Sequence, residues 1–587
     1  MYTVPDDAGQ ERESDIDRHC GATPTSASLT TRTTSTCDAA AARPAQNMHP
    51  FAATLFVSVS ASASAFVLPR GVRPRNGRPI SAAAPNGIRA GANEDIGSID
   101  RVAVIGSGIS GLSLAIALRS LGGLGGDTGK PPMEIDIFDS RNTLDEKAGS
   151  GIQVTGGLSA LRKIDKDLQK EVCESALPLR RVESKCSPWV NWFGEDGWKI
   201  LELDVQKAIR DLALSEDDCG LVTEDGEVLA YTILRGTLQR IMLDRLQREH
   251  GIEVQFGKKL SGISFEESES EGISCQFADG SRSGSYDLVV GCDGIQSKVK
   301  EYVERGKIES DGLASQSSIY SGLRITFAIQ ENVKEDIKEC QFTQHFGDNA
   351  YALTSAYGAG KEARAKGAFL VYPDPDYIGP FPRRRGEDSD RPDANADWTQ
   401  DNRISKDHVK ECLDVLGSAR VAGNDVASII EQSDRFFDLG VYFHSPFSLS
   451  GWSREVPRTP SKGLFAGPDS KTGKFVVVAG DAAHAMPPFL GQGANQALQD
   501  SYTLASKIHA YNCNVKTDTG ADVRTSLKEY EQLRWLPTTS ITIKAALLGY
   551  LEVGPSLLSK FRDVFFYVMG KAGVAKKVFL SSANPKM

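Results

Sequence analysis

The chain has 587 residues, of which 40% are hydrophobic and 25% charged, and its formal net charge is −10. These values are ordinary for a soluble globular protein of about two domains, and the acidic balance argues against nucleic-acid partners. The ten cysteines form no CxxC pair, which argues against a zinc site or a thioredoxin-like redox pair and predicts mostly buried, reduced thiols without a bound metal.

The N-terminal region has the composition of a targeting sequence. Between Met48 and Asn93 there are five Arg and no Asp or Glu. An apolar run over 51–63, too short to span a bilayer as a helix, is followed by the cleavage pattern Ala63-Ser64-Ala65. This arrangement resembles the two-part plastid presequences of algae. We therefore expect a disordered N-terminus over 1–97, with a signal and transit peptide over 48–95 and a plastid location. The alternative is a disordered N-terminus without a targeting signal. A start at Met48 is a further hypothesis.

A glycine-rich turn follows the first predicted strand. Arg101–Ile105 is a short β-branched run, and Leu112–Arg119 is apolar on all sides, as in a buried helix. Between them, Gly106 permits a tight turn, Gly108 permits close approach of a pyrophosphate, and Gly111 permits close packing of helix on strand. The free N–H groups of the helix N-terminus, which include that of Ser110, favour phosphate. The segment therefore predicts a dinucleotide-binding loop.

A carboxylate ends the second predicted strand, Met133–Phe138. Asp139 stands where an acidic residue usually accepts hydrogen bonds from an adenosine ribose. The glycine-rich stretch Gly122–Lys130 is interpreted as a loop insertion, which explains why Asp139 lies farther from the first glycine loop than is usual. The alternative for Asp139 is a simple strand-end turn residue.

Two later segments have the same strand–turn–helix organisation. In the first, an apolar strand that starts at Tyr286 ends in Asp293-Gly294. In the second, the strand Phe475–Ala479 leads into Gly480-Asp481, where α/β sheets bind ligands. The second segment continues with residues that stiffen the chain, allow close backbone approach to a flat ring, or begin a helix, namely Pro487, Pro488, Gly491, Gln492, Gly493, Ala494 and Asn495.

Together the three motifs resemble those of the class A FAD-dependent monooxygenases, which include aromatic hydroxylases of the salicylate hydroxylase type and zeaxanthin epoxidases. The resemblance covers roughly residues 98–545. It implies an α/β (α+β two-domain) fold, in which a Rossmann-like FAD-binding domain is interleaved with a sheet-containing substrate domain and followed by C-terminal helices. The implied ranges are 98–185, 228–305 and 465–545 for the FAD-binding domain, 186–227 and 306–464 for the substrate domain, and 546–587 for the C-terminal helices.

The resemblance also implies roles for individual residues. The first glycine loop binds the FAD pyrophosphate, Asp139 its adenosine ribose and Asp481 its ribityl chain, whereas Asp293 serves both FAD and NAD(P)H. Pro488, Gly491 and Gln492 lie beside the flavin ring, and Arg235, in the segment Leu234–Leu243, faces it. The full implied cofactor-binding set is Gly106, Gly108, Ser110, Gly111, Asp139, Arg235, Asp293, Gly294, Gly480, Asp481, Pro488, Gly491, Gly493, Ala494 and Asn495.

Two further segments of the resemblance concern loops. Gly151–Val154 resembles the family's turn after the second strand, and His484 is expected to fix its loop rather than act as a base. The stretches Arg454–Lys474 and Pro382–Asn402 are longer and more polar than the family pattern, and the second is interpreted as a disordered surface loop.

The implied reaction uses NAD(P)H and O₂ to hydroxylate or epoxidise a small aromatic or isoprenoid substrate through a flavin C4a-hydroperoxide. No individual side chain is implied as indispensable for the chemistry, which belongs to the flavin. Three alternatives stay open: a zeaxanthin epoxidase-like carotenoid enzyme, an FAD-dependent reductase similar to geranylgeranyl reductase, and a flavin-binding protein without turnover. Oxygen dependence would distinguish the reductase.

Two regions are candidates for contact with substrate or membrane. The strands Ser318–Ile329, Ala350–Tyr357 and Ala368–Tyr372 are predicted to form a sheet over the flavin, and the aromatic cluster Trp189, Trp192 and Phe193 is assigned either to a pocket or to core packing. Phe561–Leu580 is assigned either to an amphipathic helix in peripheral contact with a membrane or to a helix packed on the body of the protein.

Overall fold

The computed structural model describes residues 97–123, 132–145, 149–187, 197–215, 220–267, 271–309, 318–331, 333–375, 406–421, 423–447, 450–458, 472–516, 522–554 and 557–587. Several predictions lie outside these ranges. They are the presequence over 48–95, the Met48 start, the aromatic cluster Trp189, Trp192 and Phe193, the loop Pro382–Asn402, most of Gly122–Lys130 and the middle of Arg454–Lys474.

The β-strands within the described residues are, in chain order, β1 (Arg101–Ile105), β2 (Glu134–Phe138), β3 (Gly151–Val154), β4 (Leu177–Cys186), β5 (Trp198–Asp204), β6 (Tyr231–Leu234), β7 (Val254–Gln255), β8 (Leu260–Glu266), β9 (Gly272–Phe277), β10 (Leu288–Gly291), β11 (Ser318–Gln330), β12 (Cys340–Phe346), β13 (Tyr351–Gly358), β14 (Arg364–Pro373), β15 (Arg435–His444), β16 (Ser453–Glu455) and β17 (Phe475–Val478).

The α-helices are, in the same order, α1 (Ile109–Gly123), α2 (Gly156–Ile164), α3 (Lys166–Ser175), α4 (Val205–Ala213), α5 (Arg235–His250), α6 (Lys298–Arg305), α7 (Lys406–Ser418), α8 (Asn424–Glu431), α9 (Asp481–His484), α10 (Gly493–Lys516), α11 (Val523–Val553), α12 (Leu557–Lys571) and α13 (Val574–Ala583). A single 3₁₀ turn, Pro488–Leu490, lies between α9 and α10.

The first sheet has the strand order β16-β17-β10-β1-β2-β7. All its pairings are parallel except that of the edge strand β16 with β17, which is antiparallel. Parallel strands are buried on both faces and therefore have nearly continuous apolar sequences. β10 and β17 are buried along their whole length, and β1 is buried after its first residue. The predicted Rossmann-like sheet is confirmed, and its three motif-bearing strands β1, β10 and β17 are neighbours.

The second sheet has nine strands in the order β15-β11-β14-β13-β12-β4-β6-β3, with β5 paired to β4. It contains all three strands that were predicted in the middle of the chain, as β11, β13 and β14. These three form an antiparallel set, with β14 hydrogen-bonded to both of the others. β8 and β9 form a separate two-stranded sheet. The described residues thus combine a parallel sheet and a largely antiparallel sheet, as the α/β prediction required.

One local prediction is wrong. Gly151–Val154 was interpreted as a turn, but it forms strand β3, which pairs antiparallel with β6 from Gly151↔Leu234 to Val154↔Tyr231. The partner strand is far away in the sequence, so no local pattern predicts the pairing. β3, β6 and all but the last residue of β4 lie within the ranges predicted for the FAD-binding domain, and they pair in the second sheet; the domain boundaries themselves stay a prediction.

The long helix α10 follows the third motif. It packs on α1, α2 and α11, and its Ser501 hydroxyl lies 2.8 Å from the Ser113 hydroxyl of α1. The predicted C-terminal helices are confirmed, although α11 begins well before residue 546 and continues past it. Among the described residues, no helix is both long enough and apolar enough to cross a membrane.

The described cysteines agree with the predicted thiols. Seven are free, of which five are buried, Cys173 is half-buried and Cys513 is exposed. Burial raises the pKa of Cys275 and of Cys292 to about 12, so these thiols stay protonated and unreactive at neutral pH.

Glu552 is a carboxyl group buried where α11 packs against the second sheet. It is 1% exposed, and its Oε1 accepts a hydrogen bond of 2.8 Å from the Gln344 amide of β12. Burial raises the pKa of Glu552 to about 7, although hydrogen bonds from Tyr351 and Gln344 and the charge of Arg562 oppose the shift. Above that pH the folded chain must hold a charge away from water.

We therefore expect Glu552→Gln to stabilise the protein at high pH only. The pKa of Glu552 is raised from 4.5 to about 7 on folding, so its contribution is fully present below pH 4.5 and is lost as the pH rises through 7. Urea unfolding should show a variant more stable than the wild type by roughly 2–3 kcal/mol at pH 8, and little difference near pH 5. The exposed control Glu253→Gln should show no such pH dependence. An equal difference at both pH values would contradict the assignment.

Candidate functional site

The three sequence motifs meet at the carboxyl ends of β1, β10 and β17. A Cβ atom added to Gly106 would lie 2.5 Å from the Cys292 carbonyl oxygen of the second motif. A Cβ atom added to Gly480 in the third motif would lie 2.8 Å from the Ser110 hydroxyl of the first. Both glycines also have positive φ, +102° and +62°. The motifs therefore contact one another at positions where only glycine fits.

The first loop combines a closed side and an open side. A Cβ atom added to Gly111 would lie 1.9 Å from the Gly106 carbonyl oxygen, so this glycine is required by the protein's own backbone. A Cβ atom added to Gly108 would meet no protein atom within 4 Å. The space in front of Gly108 is therefore open, next to the N-terminus of α1.

The N-terminus of α1 supplies hydrogen-bond donors to that space. The first regular helical bond is donated by Leu112 N to the Gly108 carbonyl, at 3.0 Å. The preceding N–H groups of α1 have no partner within the helix, and the helix dipole adds partial positive charge there. An open space beside such donors fits a pyrophosphate.

Asp139 is buried and fully engaged by protein donors. Its Oδ2 accepts hydrogen bonds of 2.7 Å from both the N–H and the hydroxyl of Ser107. Its Oδ1 accepts a bond of 2.8 Å from the Arg141 N–H, and its Oδ2 forms an ion pair with the Arg141 guanidinium at 2.8 Å. Burial alone raises the pKa of Asp139, but Arg141 and Ser107 lower it below its usual value. The carboxylate thus fixes the first loop, and its predicted contact with a ribose stays a prediction.

Asp293 has a comparable role in the second motif. Its carboxylate accepts hydrogen bonds from the Ser297 hydroxyl at 2.5 Å and from the Lys298 N–H at 2.7 Å, immediately before α6. Burial raises the pKa of Asp293. The next residue, Gly294, has a φ of +76° and open space where a Cβ would be. Asp293 therefore shapes this turn, while the backbone at Gly294 is accessible to a ligand.

A second open region lies along the third motif. Asp481, Pro488 and Gly491 are exposed, whereas Gly493 and Ala494 at the start of α10 are half-buried. A Cβ atom added to Gly491 or Gly493 would come no closer than 3.8 Å to any other atom. The backbone at Gly491 and Gly493 is therefore open, and this side of the loop forms one wall of an open trough.

Arg235 lies near enough to Asp481 of the third motif to interact with it electrostatically. It is the first residue of α5, and a Cβ atom added to Gly149 would lie 2.8 Å from its Cδ. The side chain is exposed to solvent, yet surrounding protein lowers its pKa and the Asp481 carboxylate acts against that shift. A side chain that is exposed to solvent and is also surrounded by protein groups lies in a concave part of the surface. Arg235 and Asp481, which were predicted separately as cofactor-binding residues, thus lie near each other beside the trough.

Asn495 holds the third motif against β3 and α2. Its side-chain oxygen accepts hydrogen bonds from the N–H groups of Thr155 at 2.7 Å and Gly157 at 3.0 Å. Its side-chain nitrogen donates to the carbonyls of Gln153 at 3.0 Å and Gly491 at 3.2 Å. Because protein groups use every hydrogen-bonding position of the amide, the Asn495 side chain positions the loop, and a contact of this residue with the cofactor stays a prediction.

A buried charge cluster below the trough was missed in the sequence. Asp500 of α10 is 0% exposed; it accepts hydrogen bonds from Gly480 N at 2.8 Å and from the Arg534 guanidinium of α11 at 2.7 Å. Its other carboxylate contact is His484 Nε2 at 2.6 Å. Burial raises the pKa of Asp500, but His484 and Arg534 outweigh it and lower the pKa. His484 is therefore a loop-fixing residue, as expected.

An apolar region adjoins the trough on the side of the second sheet. Phe489, in the turn after Pro488, packs so closely on α11 that a Cβ atom added to Gly549 would lie 2.2 Å from its ring. It belongs to one hydrophobic cluster with strand residues of β11, β14 and β15, among them Phe327, Phe369 and Phe437. The Phe327 ring centroid lies 4.7 Å from that of Phe369 and 4.9 Å from that of Phe437. Gln492, three residues after Phe489, is buried, at 3% exposure.

The residues present fit an extended dinucleotide with a flat ring. Phosphate donors and an open glycine lie at the first motif, an exposed carboxylate and an arginine lie along the trough, and two further open glycines border it at the third motif. Packing of the protein alone does not require glycines with open space beside a helix N-terminus. These glycines therefore indicate a ligand site.

Comparison with known families agrees with this geometry. Residues 470–534 match the FAD binding domain family, a segment that contains the third motif, Asp500 and Arg534. An FAD-dependent monooxygenase of Aspergillus niger, azaH, is 25% identical over 434 residues, which cover 73% of this chain and 83% of that protein. The chloroplastic zeaxanthin epoxidase of Prunus armeniaca is 25% identical over 507 residues, which cover 83% of this chain. This chain spans only 61% of the length of that epoxidase.

A solved structure shares the fold. Klebsiella pneumoniae HpxO complexed with FAD and uric acid superposes with a TM-score of 0.57, covers 82% of this chain and 96% of its own, and is 19% identical. At that identity the likeness concerns the fold alone.

Proposed function

We propose that this chain is an FAD-dependent monooxygenase of the class A type, which uses NAD(P)H and O₂ to insert one oxygen atom into an organic substrate; the match of residues 470–534 to the FAD binding domain family and the similarity to an FAD-dependent monooxygenase support this. The observation that carries the proposal is the trough in which Arg235, Asp481 and the open glycines Gly491 and Gly493 come together. It lies beside the apolar cluster that contains Phe489. A flavin in the trough would present its ring to that cluster.

In this proposal each part of the chain has a separate task. The N-terminus of α1 and the backbone at Gly108 bind the pyrophosphate, and Asp481 binds the ribityl chain. When bound, FAD supplies the hydride acceptance and the oxygen activation that no side chain can provide. The Asp500–Arg534 pair and Asn495 hold the third motif in place without contacting reacting atoms.

The apolar cluster supports a hydrophobic substrate. Phe327, Phe369 and Phe437 on the second sheet belong to the same cluster as Phe489 of the flavin loop. Such walls exclude water, which limits side reactions of activated oxygen. They also bind aromatic or polyene surfaces. The substrate class that fits is therefore a small aromatic compound or an isoprenoid.

The test is NAD(P)H consumption by the full chain reconstituted with FAD, with and without O₂, against phenolic acids and xanthophylls. We expect oxygen-dependent consumption stimulated by one class, with a product one oxygen atom heavier that acquires its label from ¹⁸O₂. The same protein without FAD is the control. Reduction of a substrate double bond in the absence of O₂ would instead support the geranylgeranyl reductase-like alternative, and FAD binding without any turnover would support a binding protein.

Zeaxanthin epoxidation is a second candidate. It is favoured by the resemblance to the Prunus armeniaca epoxidase over most of this chain and by the apolar cluster described above. The same assay tests it, since a carotenoid epoxide heavier by one oxygen atom would be formed from zeaxanthin. If zeaxanthin is returned unchanged while a phenolic compound stimulates oxygen-dependent NAD(P)H consumption, this candidate is eliminated.

A further inference from the structure

Helix α12 buries two charged residues and exposes three apolar ones, although it also buries Phe566 in the apolar cluster of the second sheet. Its charged residues Arg562 and Asp563 point into the protein and are 1% and 3% exposed. Its apolar residues Phe561, Val564 and Val568 point outward and are 59%, 50% and 53% exposed. A helix that packs only on its own protein normally buries the apolar side.

Buried polar contacts fix this orientation. The Arg562 guanidinium donates hydrogen bonds to the carbonyls of Gly347 at 3.0 Å and Glu552 at 2.7 Å, and it lies 4.6 Å from the Phe346 ring centroid. The Ser559 hydroxyl donates to the Asp348 carboxylate at 2.6 Å. Rotating the helix to cover Phe561 and Val568 would break these contacts and leave buried charge unpaired, which is strongly unfavourable.

The exposed apolar residues form one continuous face. Positions 561, 564 and 568 recur at helical spacing, so their side chains lie on the same side of α12. Tyr567 extends the face, and its ring is 5.4 Å from that of Trp198 on β5. We call this surface, made of Phe561, Val564, Tyr567, Val568 and Trp198, the α12 face. The sequence assigned the segment either to a membrane or to the body, whereas the helix packs on the body and still exposes an apolar face.

The segment that carries most of the α12 face is basic, although the whole chain has a net charge of −10. Residues 557–587 contain six Lys or Arg and a single acidic residue, and that residue, Asp563, is buried beside Arg562. Lys560 and Lys571 are exposed at the two ends of the face. A hydrophobic face bordered by lysines complements a surface that is apolar inside and anionic outside.

We propose that the α12 face docks on an anionic lipid bilayer. Aromatic rings of the Tyr and Trp type settle at the boundary between headgroups and acyl chains, while flanking lysines pair with anionic headgroups. A second copy of this chain fits less well, because a twofold contact through the face would bring Lys560 of one copy near Lys571 of the other.

The test is flotation of the full chain with phosphatidylcholine vesicles and with vesicles that also contain phosphatidylglycerol. The wild type should float only with the anionic vesicles, and high salt should weaken the binding. The triple variant Phe561→Ser, Val564→Ser, Val568→Ser should lose about a hundredfold in partitioning. Since these side chains are exposed, its thermal unfolding should match the wild type.

A matched triple variant provides the control. Leu214, Leu533 and Leu536 are also exposed, by 89%, 45% and 60%, but lie outside α12, so replacing all three with Ser should leave flotation unchanged. The proposal is overturned if the wild type stays in solution with anionic vesicles, or if both triple variants bind equally. A wild-type dimer in size-exclusion chromatography that the α12 variant dissociates, without vesicle binding, would assign the face to self-association instead.

Discussion

Replacing Asp500 with Asn is expected to destabilise the FAD-free protein by about 3–5 kcal/mol, because it leaves a buried cation without its counter-charge. Arg534 is 0% exposed, as is Asp500, and the pair is joined at 2.7 Å. Arg534 also donates to the carbonyls of Gln496 at 3.2 Å and Lys586 at 2.6 Å, and these bonds only partly compensate its charge. Urea unfolding of the apoprotein measures the change.

The same substitution should weaken FAD binding, because Asp500 accepts the Gly480 N–H at 2.8 Å and so holds the turn that precedes Asp481. The double variant Asp500→Asn, Arg534→Gln removes both charges and should recover much of the lost stability, which a double-mutant cycle quantifies. Lys507→Met is the control, since it breaks the 2.7 Å pair of Lys507 with Glu529, which is 51% exposed, at a cost below about 1 kcal/mol. If Asp500→Asn lowers the free energy of unfolding no more than Lys507→Met does, the buried pair contributes no more to stability than a surface pair.

The parts of the fold that depend on local pattern could be predicted from the sequence. β1 has the predicted bounds, and β2 begins one residue later than predicted, at Glu134. β1 could be predicted because a short apolar run that ends at a glycine turn is typical of a buried strand. β11 extends from Ser318 to Gln330, close to its predicted bounds. Glycine roles at Gly106 and Gly111 could also be predicted, because the strand–turn–helix context requires them.

The parts that depend on distant partners could not be predicted. β3 is a strand only because β6 pairs with it, and four residues are too few for a periodic signal. The Asp500–Arg534 pair joins two helices, and in the sequence Arg534 is an ordinary helix former that gives no sign of complete burial. For α12, the helical spacing of the apolar residues is visible in the sequence, whereas its orientation depends on the carbonyl groups of Gly347, just after β12, and Glu552 of α11, which accept from Arg562.

Gly108→Ala should separate the requirements of cofactor binding from those of folding. Gly108 has open space where a Cβ would be, whereas a Cβ at Gly111 would lie 1.9 Å from a backbone oxygen. The methyl group at position 108 should therefore leave the apoprotein as stable as the wild type, while it occupies the space assigned to the pyrophosphate. Gly111→Ala should instead destabilise the apoprotein.

We expect Gly108→Ala to lower FAD affinity about a thousandfold. Displacing the pyrophosphate from the N-terminus of α1 loses about two charge-assisted hydrogen bonds, each contributing about 1.5–3 kcal/mol. Flavin fluorescence titration of the apoprotein measures the affinity, and thermal unfolding of the same sample checks the fold. Gly284→Ala is the control, since its Cβ also meets nothing within 4 Å but lies outside the three motifs. If Gly108→Ala binds FAD as tightly as Gly284→Ala does, the pyrophosphate does not lie in front of Gly108, and the cofactor must approach the trough along another path.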